Sequence, residues 1–318
     1  MNTGAYHLQK MPKTYKNLFE NICSFENLHE AYLKARKGKG YGEDVIGFSY
    51  NLEENLFKIK EELETQSYKP GAYKEFHIYD SKKRLIKAPS FRDRVVHHAL
   101  CNVIEPVFDK TFIYDSYACR KGKGTHKGVD RLQKFIRKTN ESYALKCDVV
   151  QYFPSIDHEK LLEIIGRKIK DEKVMWLVEV IIRSSETPAG SKKGLPIGNL
   201  TSQLFANIYL NEPDYFVKHK LKIMSYVRYV DDFVILENKQ KLSEIKSQVI
   251  EFLRTLKLEI HSKKSNVFPV KHGIDFLGCR IFHSHRLLRK ANVKKFIWRL
   301  KVMKNDYRRN LSGCERIY

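Results

Sequence analysis

Apolar residues recur along the chain at spacings that alternate between helix-like and strand-like patterns. Residues three or four positions apart predict helices over 15–42, 48–66, 91–108, 129–138, 158–169, 173–184, 199–218 and 242–256. Alternating or continuous apolar runs predict a β-ribbon over 73–88 and strands over 143–149, 225–236, 267–270 and 276–282. Because helices and strands are interleaved and no internal repeat is present, the pattern predicts an α/β or α+β fold.

Two adjacent carboxylates, Asp231 and Asp232, lie between two short apolar strands. Ordinary turn chemistry is one explanation, but turn acids are usually accompanied by Gly or Asn, and neither is present here. A third acid, Asp148, ends another predicted strand. Three carboxylates at neighbouring strand ends can hold two Mg²⁺ ions, which activate a 3′-hydroxyl and stabilise a leaving pyrophosphate. This spacing therefore indicates metal-dependent nucleotidyl transfer.

The charge balance points to a nucleic-acid partner. The chain has 318 residues, with 59 Lys and Arg against 37 Asp and Glu, which gives a formal net charge of +22. Such an excess repels itself unless a polyanion relieves it. Two basic tracts, 116–140 and 281–318, also carry aromatic residues that can stack on bases. Instead of binding nucleic acid, either tract could simply be a helix face exposed to solvent. The chain as a whole could likewise be a soluble basic protein with no nucleic-acid partner.

Several other classes are disfavoured. No apolar stretch approaches the length of a membrane span, so we expect no membrane association. Residues 1–16 lack the apolar core of a secretory signal, and six scattered cysteines contain no CxxC pair, which favours a cytoplasmic protein without a zinc site. The paired histidines, His97 with His98 and His283 with His285, have no acid or cysteine at ligand spacing. The chain also lacks a Walker A sequence and a dinucleotide-binding fingerprint.

At the level of motifs, the chain resembles a reverse transcriptase. Residues 229–232 (YVDD) resemble the family's Y-x-D-D box, and Asp148 followed by Phe153 resembles the motif that carries the first metal acid and an aromatic sugar gate. Further matching motifs occur in order, at family spacing, between about residues 68 and 282. The resemblance implies an RNA-directed DNA polymerase with a right-hand fold and two Mg²⁺ ions.

The resemblance also implies roles for individual residues. Asp148, Asp231 and Asp232 would be catalytic and would ligate the metals, with the Val149 carbonyl assisting. The residues implied to contact the incoming dNTP are Lys82, Arg84, Phe153, Ile197 and Gly198. The residues expected to contact primer or template, from the motifs or the basic tracts, are Arg120, Lys121, Lys123, Lys264, Phe276, Leu277, Gly278, Lys294, Lys295 and Arg299. A bulky ring at Phe153 would clash with a ribose 2′-hydroxyl and so would favour dNTPs over rNTPs.

A right-hand polymerase divides the chain into three parts. The fingers are expected over 1–140 and 158–194, and the palm over 141–157 and 195–282. A short, basic, helical thumb would follow over 283–318. Because residues 308–318 show no cap or stop pattern, the thumb is expected to be either minimal or missing a C-terminal piece.

One motif departs from the common pattern of the family. Enzymes resembling those of group II introns and retroviruses have Q-G-x-x-x-S-P before the long palm helix, whereas residues 197–203 read IGNLTSQ. This variant is similar to the reverse transcriptases of diversity-generating retroelements of bacteria and phages. Those enzymes copy a template RNA into cDNA with errors at template adenines. They act with a small basic accessory protein, which is therefore an expected partner beside the template RNA, the cDNA or primer strand and the dNTPs.

Three alternatives stay open. Ile197 can be a neutral change in an ordinary enzyme. The system can instead be a retron-like, group II intron-like or defence-associated reverse transcriptase. The chain can also be a non-catalytic RNA-binding scaffold, although the intact Asp148, Asp231 and Asp232 argue against that.

Overall fold

The structure is a computed structural model that describes residues 13–79, 83–139, 143–184, 190–262 and 264–314, with side chains as far as residue 308. The chain forms two compact units. The first unit comprises Met1–Ile113, Val149–Phe216 and Ile250–Glu259, and the second comprises Tyr114–Asp148, Val217–Val249 and Ile260–Tyr318.

Helices and strands alternate as the sequence pattern predicts. The helices are α1 (Phe19–Cys23), α2 (Phe25–Arg36), α3 (Glu43–Tyr50), α4 (Leu52–Glu64), α5 (Phe91–Asp109), α6 (Thr125–Lys138), α7 (Tyr152–Ser155), α8 (His158–Gly166), α9 (Glu172–Arg183), α10 (Leu200–Tyr215), α11 (Lys239–Thr255) and α12 (Lys290–Cys314). The strands are β1 (Lys74–Tyr79), β2 (Lys83–Ala88), β3 (Tyr143–Asp148), β4 (Tyr226–Tyr229), β5 (Asp232–Glu237), β6 (Asn266–Pro269), β7 (Ile274–Phe276), β8 (Cys279–Ile281) and β9 (Arg286–Leu288). Among the described helices, none combines the length and the apolar character that crossing a bilayer requires.

Two helices predicted as continuous are each broken once, so those predictions are wrong at the break. Ser24 separates α1 from α2, with extended backbone at ψ 141°, and its hydroxyl accepts a hydrogen bond from the Asn27 amide. Asn51 separates α3 from α4 with φ −113° and ψ 51°. Ser and Asn favour helix starts over helix interiors because their side chains compete for backbone groups.

The first unit is organised around α5, which packs against α2 and α10. Val95, Ala99, Leu100 and Ile104 of α5 are fully buried. The β1–β2 ribbon precedes α5 and pairs Lys74 with Ala88 through Tyr79 with Lys83 in antiparallel register. The predicted ribbon is therefore confirmed, while its turn at residues 80–82 lies outside the described residues.

The interior of α5 also contains a histidine that has no hydrogen-bond partner. His97 is 1% exposed, and neither ring nitrogen is hydrogen-bonded. Burial lowers the pKa of His97 to about 4, because desolvation disfavours the imidazolium form. In the unfolded chain the His97 imidazole takes up a proton near its ordinary pKa of ~6.5, whereas in the folded chain it stays neutral until the pH approaches 4. The free energy of unfolding therefore decreases as the pH falls from ~6.5 towards 4.

We therefore expect His97→Leu to flatten the acid side of the stability profile. Between pH 7.5 and 5, the free energy of unfolding of the wild type should fall by about 2 kcal/mol more than that of the variant. Urea unfolding of both proteins at the two pH values measures this difference. Parallel profiles would show that His97 takes up its proton as readily in the folded chain as in the unfolded one.

The second unit is built on a four-stranded antiparallel sheet in the order β4–β5–β3–β6. Along β3, successive side chains point to opposite faces, so Ala144, Lys146 and Asp148 share one face. On that face α6 contributes Val129, Leu132, Phe135 and Ile136 to a core with Ala144, Val227, Val234 and Leu236 of the sheet. The helix thus covers one end of the face, while Asp148 lies at the end of its strand.

A second sheet, in the order β7–β8–β9, completes this unit. The single strand predicted over 276–282 is wrong, because residues 277 and 278 form a tight turn between β7 and β8. Leu277 (φ 50°) and Gly278 (φ 84°) both have positive φ, which is the signature of a type I′ hairpin turn. Apolar periodicity misses this turn because Leu is an unusual residue in the left-handed region, whereas the resemblance of residues 276–279 to the primer-grip turn of reverse transcriptases indicates it.

Candidate active site

The sheet of the second unit brings two of the predicted metal-binding acids together. Asp148 is the last residue of β3 and Asp232 is the first residue of β5, and the two residues are direct antiparallel partners. Their side chains are 26% and 27% exposed, respectively, so both carboxylates are largely removed from water. Asp231 is half-buried and immediately precedes β5. Antiparallel pairing therefore gathers at one point acids that are separated by more than eighty positions in the sequence.

The turn that carries Asp231 is conformationally strained. Val230 has φ 53°, a left-handed conformation that is a genuine outlier for a β-branched residue. Arg228, which is 1% exposed, donates from Nη1 to the Val230 carbonyl at 3.0 Å. The backbone of Arg228 is fixed in turn by hydrogen bonds to Asp115 and Tyr117. Strain of this kind concentrates at functional sites, where surrounding contacts hold it in place.

Two lysines compensate the carboxylates. Lys146 Nζ lies 3.0 Å from Asp232 Oδ2 and also donates to the Asp275 carbonyl at 2.7 Å. Lys264 Nζ lies 2.7 Å from Asp148 Oδ2, and its side chain is 45% exposed. The pKa of Asp232 is nonetheless raised to about 6, because burial outweighs the attraction of Lys146, and the charges of Asp148 and Asp231 add to the increase. At Asp232, burial and the neighbouring carboxylates thus outweigh the contact with Lys146.

The carboxylates open into a cavity of about 650 Å³, which is also lined by Lys146, Lys264, Arg280 and Arg289. Within the part of the chain that the structure describes, no group of three or more His, Cys, Asp and Glu side chains is placed to hold a metal ion by itself. Mg²⁺, however, commonly takes only one or two protein carboxylates and completes its shell with water and substrate phosphates. Asp232 Oδ1 is buried without a hydrogen-bond partner, which leaves a carboxylate oxygen for such a cation. The donor set therefore fits a divalent metal that a triphosphate helps to bind.

Three of the residues predicted to contact the dNTP, namely Phe153, Ile197 and Gly198, lie in the first unit. The Ile197 carbonyl accepts a hydrogen bond from the Lys87 amide of β2 at 3.2 Å. Gly198 has φ 122°, and a Cβ there would lie 2.9 Å from Ile86 of the same strand. Phe153 is half-buried in α7, and its carbonyl accepts from the Leu195 amide at 2.9 Å.

Of the two cations predicted to bind triphosphate, Lys82 and Arg84, the structure describes only Arg84. Arg84 is exposed on β2, the strand that Ile197 and Gly198 contact, and it pairs with Ile78 across the ribbon. Lys82 lies outside the described residues. Val149 directly follows Asp148 in the chain, and its side chain is buried.

The predicted primer and template residues are dispersed over the second unit. Phe276 is buried beside the turn formed by Leu277 and Gly278, and the Gly278 carbonyl accepts from the Arg289 amide. Arg120 donates to the Ser116 carbonyl, and Lys123 donates to the Tyr114 carbonyl. Of the remaining cations of this set, Lys121 in its loop and Lys294 and Arg299 on α12 are exposed, whereas Lys295 on α12 is half-buried.

Sequence reasoning missed four charged residues of the cavity, namely Lys146, Asp275, Arg280 and Arg289. Lys146 was detectable, because it lies two residues before Asp148 on the same strand and must therefore share its face. Asp275 binds Arg280 Nε at 2.9 Å, and that hydrogen bond lowers the pKa of the Asp275 carboxyl. No apolar spacing in the sequence indicates this pair, although residues 276–279, which resemble the family's primer-grip turn, lie between the two residues.

Comparison with known proteins identifies the family to which the chain belongs. The fold and the carboxylate pair define a polymerase palm, and the model of the family described as reverse transcriptase (RNA-dependent DNA polymerase) matches residues 69–281. Because this match covers more than half of the chain, the chain belongs to the reverse transcriptase family. The predicted fold and enzyme class are therefore confirmed.

Individual relatives are distant. The chain is 25% identical to the group II intron-encoded protein LtrA of Lactococcus lactis over 92% of this chain and 59% of LtrA. It is also 25% identical to the protein YkfC of Escherichia coli over 74% of this chain and 71% of YkfC. Apo telomerase from Candida tropicalis superposes with a TM-score of 0.53 at 15% identity, covering 69% of this chain and 55% of the telomerase chain, which supports the fold alone. The chain thus spans only about three fifths of LtrA and about half of the telomerase.

Proposed function

We propose that this protein is an RNA-directed DNA polymerase whose reaction centre is formed by Asp148, Asp231 and Asp232. The observation that carries the proposal is the direct pairing of Asp148 with Asp232 at the ends of β3 and β5, next to the strained turn that presents Asp231. Carboxylates that lie this close together, partly removed from water, repel one another and destabilise the fold unless bound cations neutralise them. A catalytic site is the usual reason for retaining such an arrangement.

Each group around the cavity has a distinct task in nucleotidyl transfer. Two divalent ions, when bound, stabilise the attacking 3′-oxygen and the leaving pyrophosphate. Asp148 and Asp231 would hold these ions, and the adjacent Asp232 and the Val149 carbonyl would assist. Lys146 keeps Asp232 oriented through its contact with both that carboxylate and the Asp275 carbonyl. Lys264, which is more exposed, is placed beside Asp148 where it can contact the primer or template.

Primer extension tests this function directly. Purified protein should incorporate dTTP on poly(rA) primed with oligo(dT), and EDTA should abolish incorporation that Mg²⁺ restores. Absence of synthesis with either Mg²⁺ or Mn²⁺, combined with retained RNA binding, would favour the scaffold alternative instead.

The right-hand division of the chain is part of the same proposal. Fingers over 1–140 and 158–194 would bind triphosphate through Lys82 and Arg84, with Ile197 and Gly198 lining the nascent-pair pocket. The palm would comprise 141–157 and 195–282, with the β7–β8 turn at Phe276, Leu277 and Gly278 as the primer grip. The thumb would be 283–318. The cations proposed to follow the template or primer backbone are Arg120, Lys121, Lys123, Lys294, Lys295 and Arg299.

Within this family, the motif at 197–203 favours a diversity-generating retroelement, in which the enzyme copies a template RNA with errors at adenines. In that setting, a small basic accessory protein would be a further partner. A group II intron-like reverse transcriptase is the second candidate, because the similarity to the intron-encoded LtrA extends over 92% of this chain. The Ile197 carbonyl accepts from the Lys87 amide of β2, so the unusual residue lies against the proposed nucleotide-binding ribbon, where its side chain can bear on nucleotide selection.

The error rate separates the two candidates. The Ile197 side chain cannot donate or accept a hydrogen bond, so the nascent base pair would be positioned by shape alone. A Gln at this position could add one hydrogen bond, worth ~0.5–1.5 kcal/mol, that fixes the position of the nucleotide. We expect frequent misincorporation opposite template adenine by the wild type, and Ile197→Gln should lower it several-fold up to about tenfold while retaining synthesis. Sequencing cDNA made from a mixed-base RNA template measures both rates. Equal and low error rates at all four template bases in the wild type would exclude the retroelement assignment.

A further inference from the structure

The turn between β4 and β5 has a backbone conformation that its amino-acid sequence does not favour. Tyr229 and Asp232 close this hairpin as antiparallel partners, so Val230 and Asp231 are its turn residues. Of these two, only Val230 has a positive φ, at 53°. A positive φ at the first turn position alone is the pattern of a type II′ turn, which favours glycine there. A β-branched residue stays in this conformation only where surrounding contacts hold it.

Arg228 supplies such a contact from the interior of the protein. Its side chain is 1% exposed, and Nη1 donates to the Val230 carbonyl at 3.0 Å. Burial of a guanidinium is costly, because the group stays charged and carries five N–H donors that need acceptors. One of the acceptors it has is the carbonyl of the strained residue itself. The contact therefore opposes rotation of the peptide group that joins Val230 to Asp231.

The backbone of Arg228 is fixed on both edges of its strand. On one edge β4 pairs with β5, and Arg228 lies opposite Phe233. On the other edge the Arg228 amide donates to the Asp115 carbonyl at 2.9 Å, and the Arg228 carbonyl accepts from the Tyr117 amide at 3.0 Å. The guanidinium is thus attached to a backbone that is held in place independently of the turn.

We infer that Arg228 is a positioning residue for nucleotidyl transfer, which acts through the Val230 carbonyl to hold Asp231 in the orientation that the reaction needs. This inference rests on the proposed function for the role of Asp231. Because its side chain is 1% exposed, Arg228 has almost no surface for contact with a substrate. Its loss should therefore slow the chemical step and leave the affinity for the nucleotide nearly unchanged.

A purely structural role is the alternative, in which Arg228 contributes to the stability of the whole unit and not to the turn in particular. In that case, any substitution that raises the stability of the unit should offset the loss of Arg228, wherever it is made. Relief of strain at Val230 and relief of strain at a distant residue then have the same effect. The experiment compares these two substitutions.

Single-nucleotide primer extension with Arg228→Met tests the inference. The variant should lower kcat by about 10–100-fold, while KM for the dNTP stays within about threefold of the wild type. Adding Val230→Gly to Arg228→Met should raise kcat by about fivefold or more, because glycine adopts a positive φ without support. Arg228→Lys keeps the charge and a donor, so it should retain more activity than Arg228→Met, and it takes the place of Arg228→Met in every comparison if that variant does not fold.

Lys222→Gly is the matched control for the added glycine. Lys222 also has a positive φ, at 56°, and it is exposed in the same unit. Lys222→Gly should shift the melting temperature in the same direction as Val230→Gly, yet leave kcat of Arg228→Met unchanged. Equal recovery of kcat with either glycine, or no recovery with Val230→Gly, would overturn the inference.

Hydrogen exchange of the metal-free proteins gives a readout that needs no synthesis. Arg228→Met should speed exchange over residues 229–233 by about tenfold, while residues 143–147 of β3 exchange at the wild-type rate. Unchanged exchange over 229–233, or equally faster exchange in both segments, would overturn the inference. A wild type that shows this exchange pattern but makes no DNA would contradict the proposed function and leave the contact between Arg228 and the turn in place.

Discussion

Asp148→Asn and Asp231→Asn are each expected to reduce Mg²⁺-dependent DNA synthesis by more than ~10³-fold, since each substitution removes a charge that would hold the reacting ions. The loss of synthesis should be especially large for Asp148→Asn, because Asp148 is paired directly with Asp232 across the sheet. The exchange of carboxylate for amide preserves shape, so RNA affinity and the melting temperature should remain close to those of the wild type. Single-turnover primer extension measures the loss in synthesis.

Asp275→Asn is the matched control for these substitutions. Asp275 lines the same cavity and is 30% exposed, similar to Asp148, but it pairs with Arg280 and Arg289 rather than lying at the paired strand ends. We expect its synthesis rate to stay within about tenfold of the wild type. If Asp148→Asn retained more than a tenth of wild-type synthesis, or fell no further than Asp275→Asn, the assignment of the metal acids would be wrong.

Phe153→Ala is expected to raise incorporation of rNTPs relative to dNTPs, on the order of 10–100-fold. The aromatic ring would occupy the space of a ribose 2′-hydroxyl, and alanine would open that space. The alternative is that Phe153 is an ordinary core residue, whose truncation would cost ~3–5 kcal/mol of stability. The structure favours the first explanation, because Phe153 is only half-buried whereas its neighbour Tyr152 is 2% exposed.

Tyr152→Phe separates the two explanations. The Tyr152 hydroxyl donates to the Ala206 carbonyl at 2.6 Å, so its removal should cost ~0.5–1.5 kcal/mol and leave sugar selection unchanged. Competition between rNTPs and dNTPs in extension assays, together with melting temperatures, gives both readouts. A Phe153→Ala enzyme with wild-type sugar discrimination and a strongly lowered melting temperature would show that Phe153 serves packing alone.

The spacing of apolar residues predicted the helices and strands whose formation depends on neighbouring residues in the sequence. The strand ending at Asp148 and the paired strands around Asp231 and Asp232 follow from apolar runs interrupted by acids, and the structure confirms these elements. The pairing of Asp148 with Asp232 could not be read from periodicity, because register is fixed by contacts between distant segments. The reverse transcriptase motifs supplied that expectation instead.

The errors have physical causes that act at single residues. The break at Ser24 depends on one hydroxyl that caps the following helix. The β7–β8 turn depends on Leu277 tolerating a positive φ, which its residue type does not suggest. Lys146 shares a strand face with Asp148, yet only the structure shows its ammonium between Asp232 and the Asp275 carbonyl.

Extension of a primer by one nucleotide tests whether templated DNA synthesis depends on the three carboxylates Asp148, Asp231 and Asp232. A DNA primer annealed to a defined RNA template is mixed with each dNTP in turn, in Mg²⁺, using the wild type and Asp231→Asn. We expect the wild type to extend the primer chiefly with the dNTP that pairs with the template base, apart from errors opposite adenine, and Asp231→Asn to give no detectable product. Extension by the wild type that ignores the template, or equal extension by Asp231→Asn, would contradict the claim.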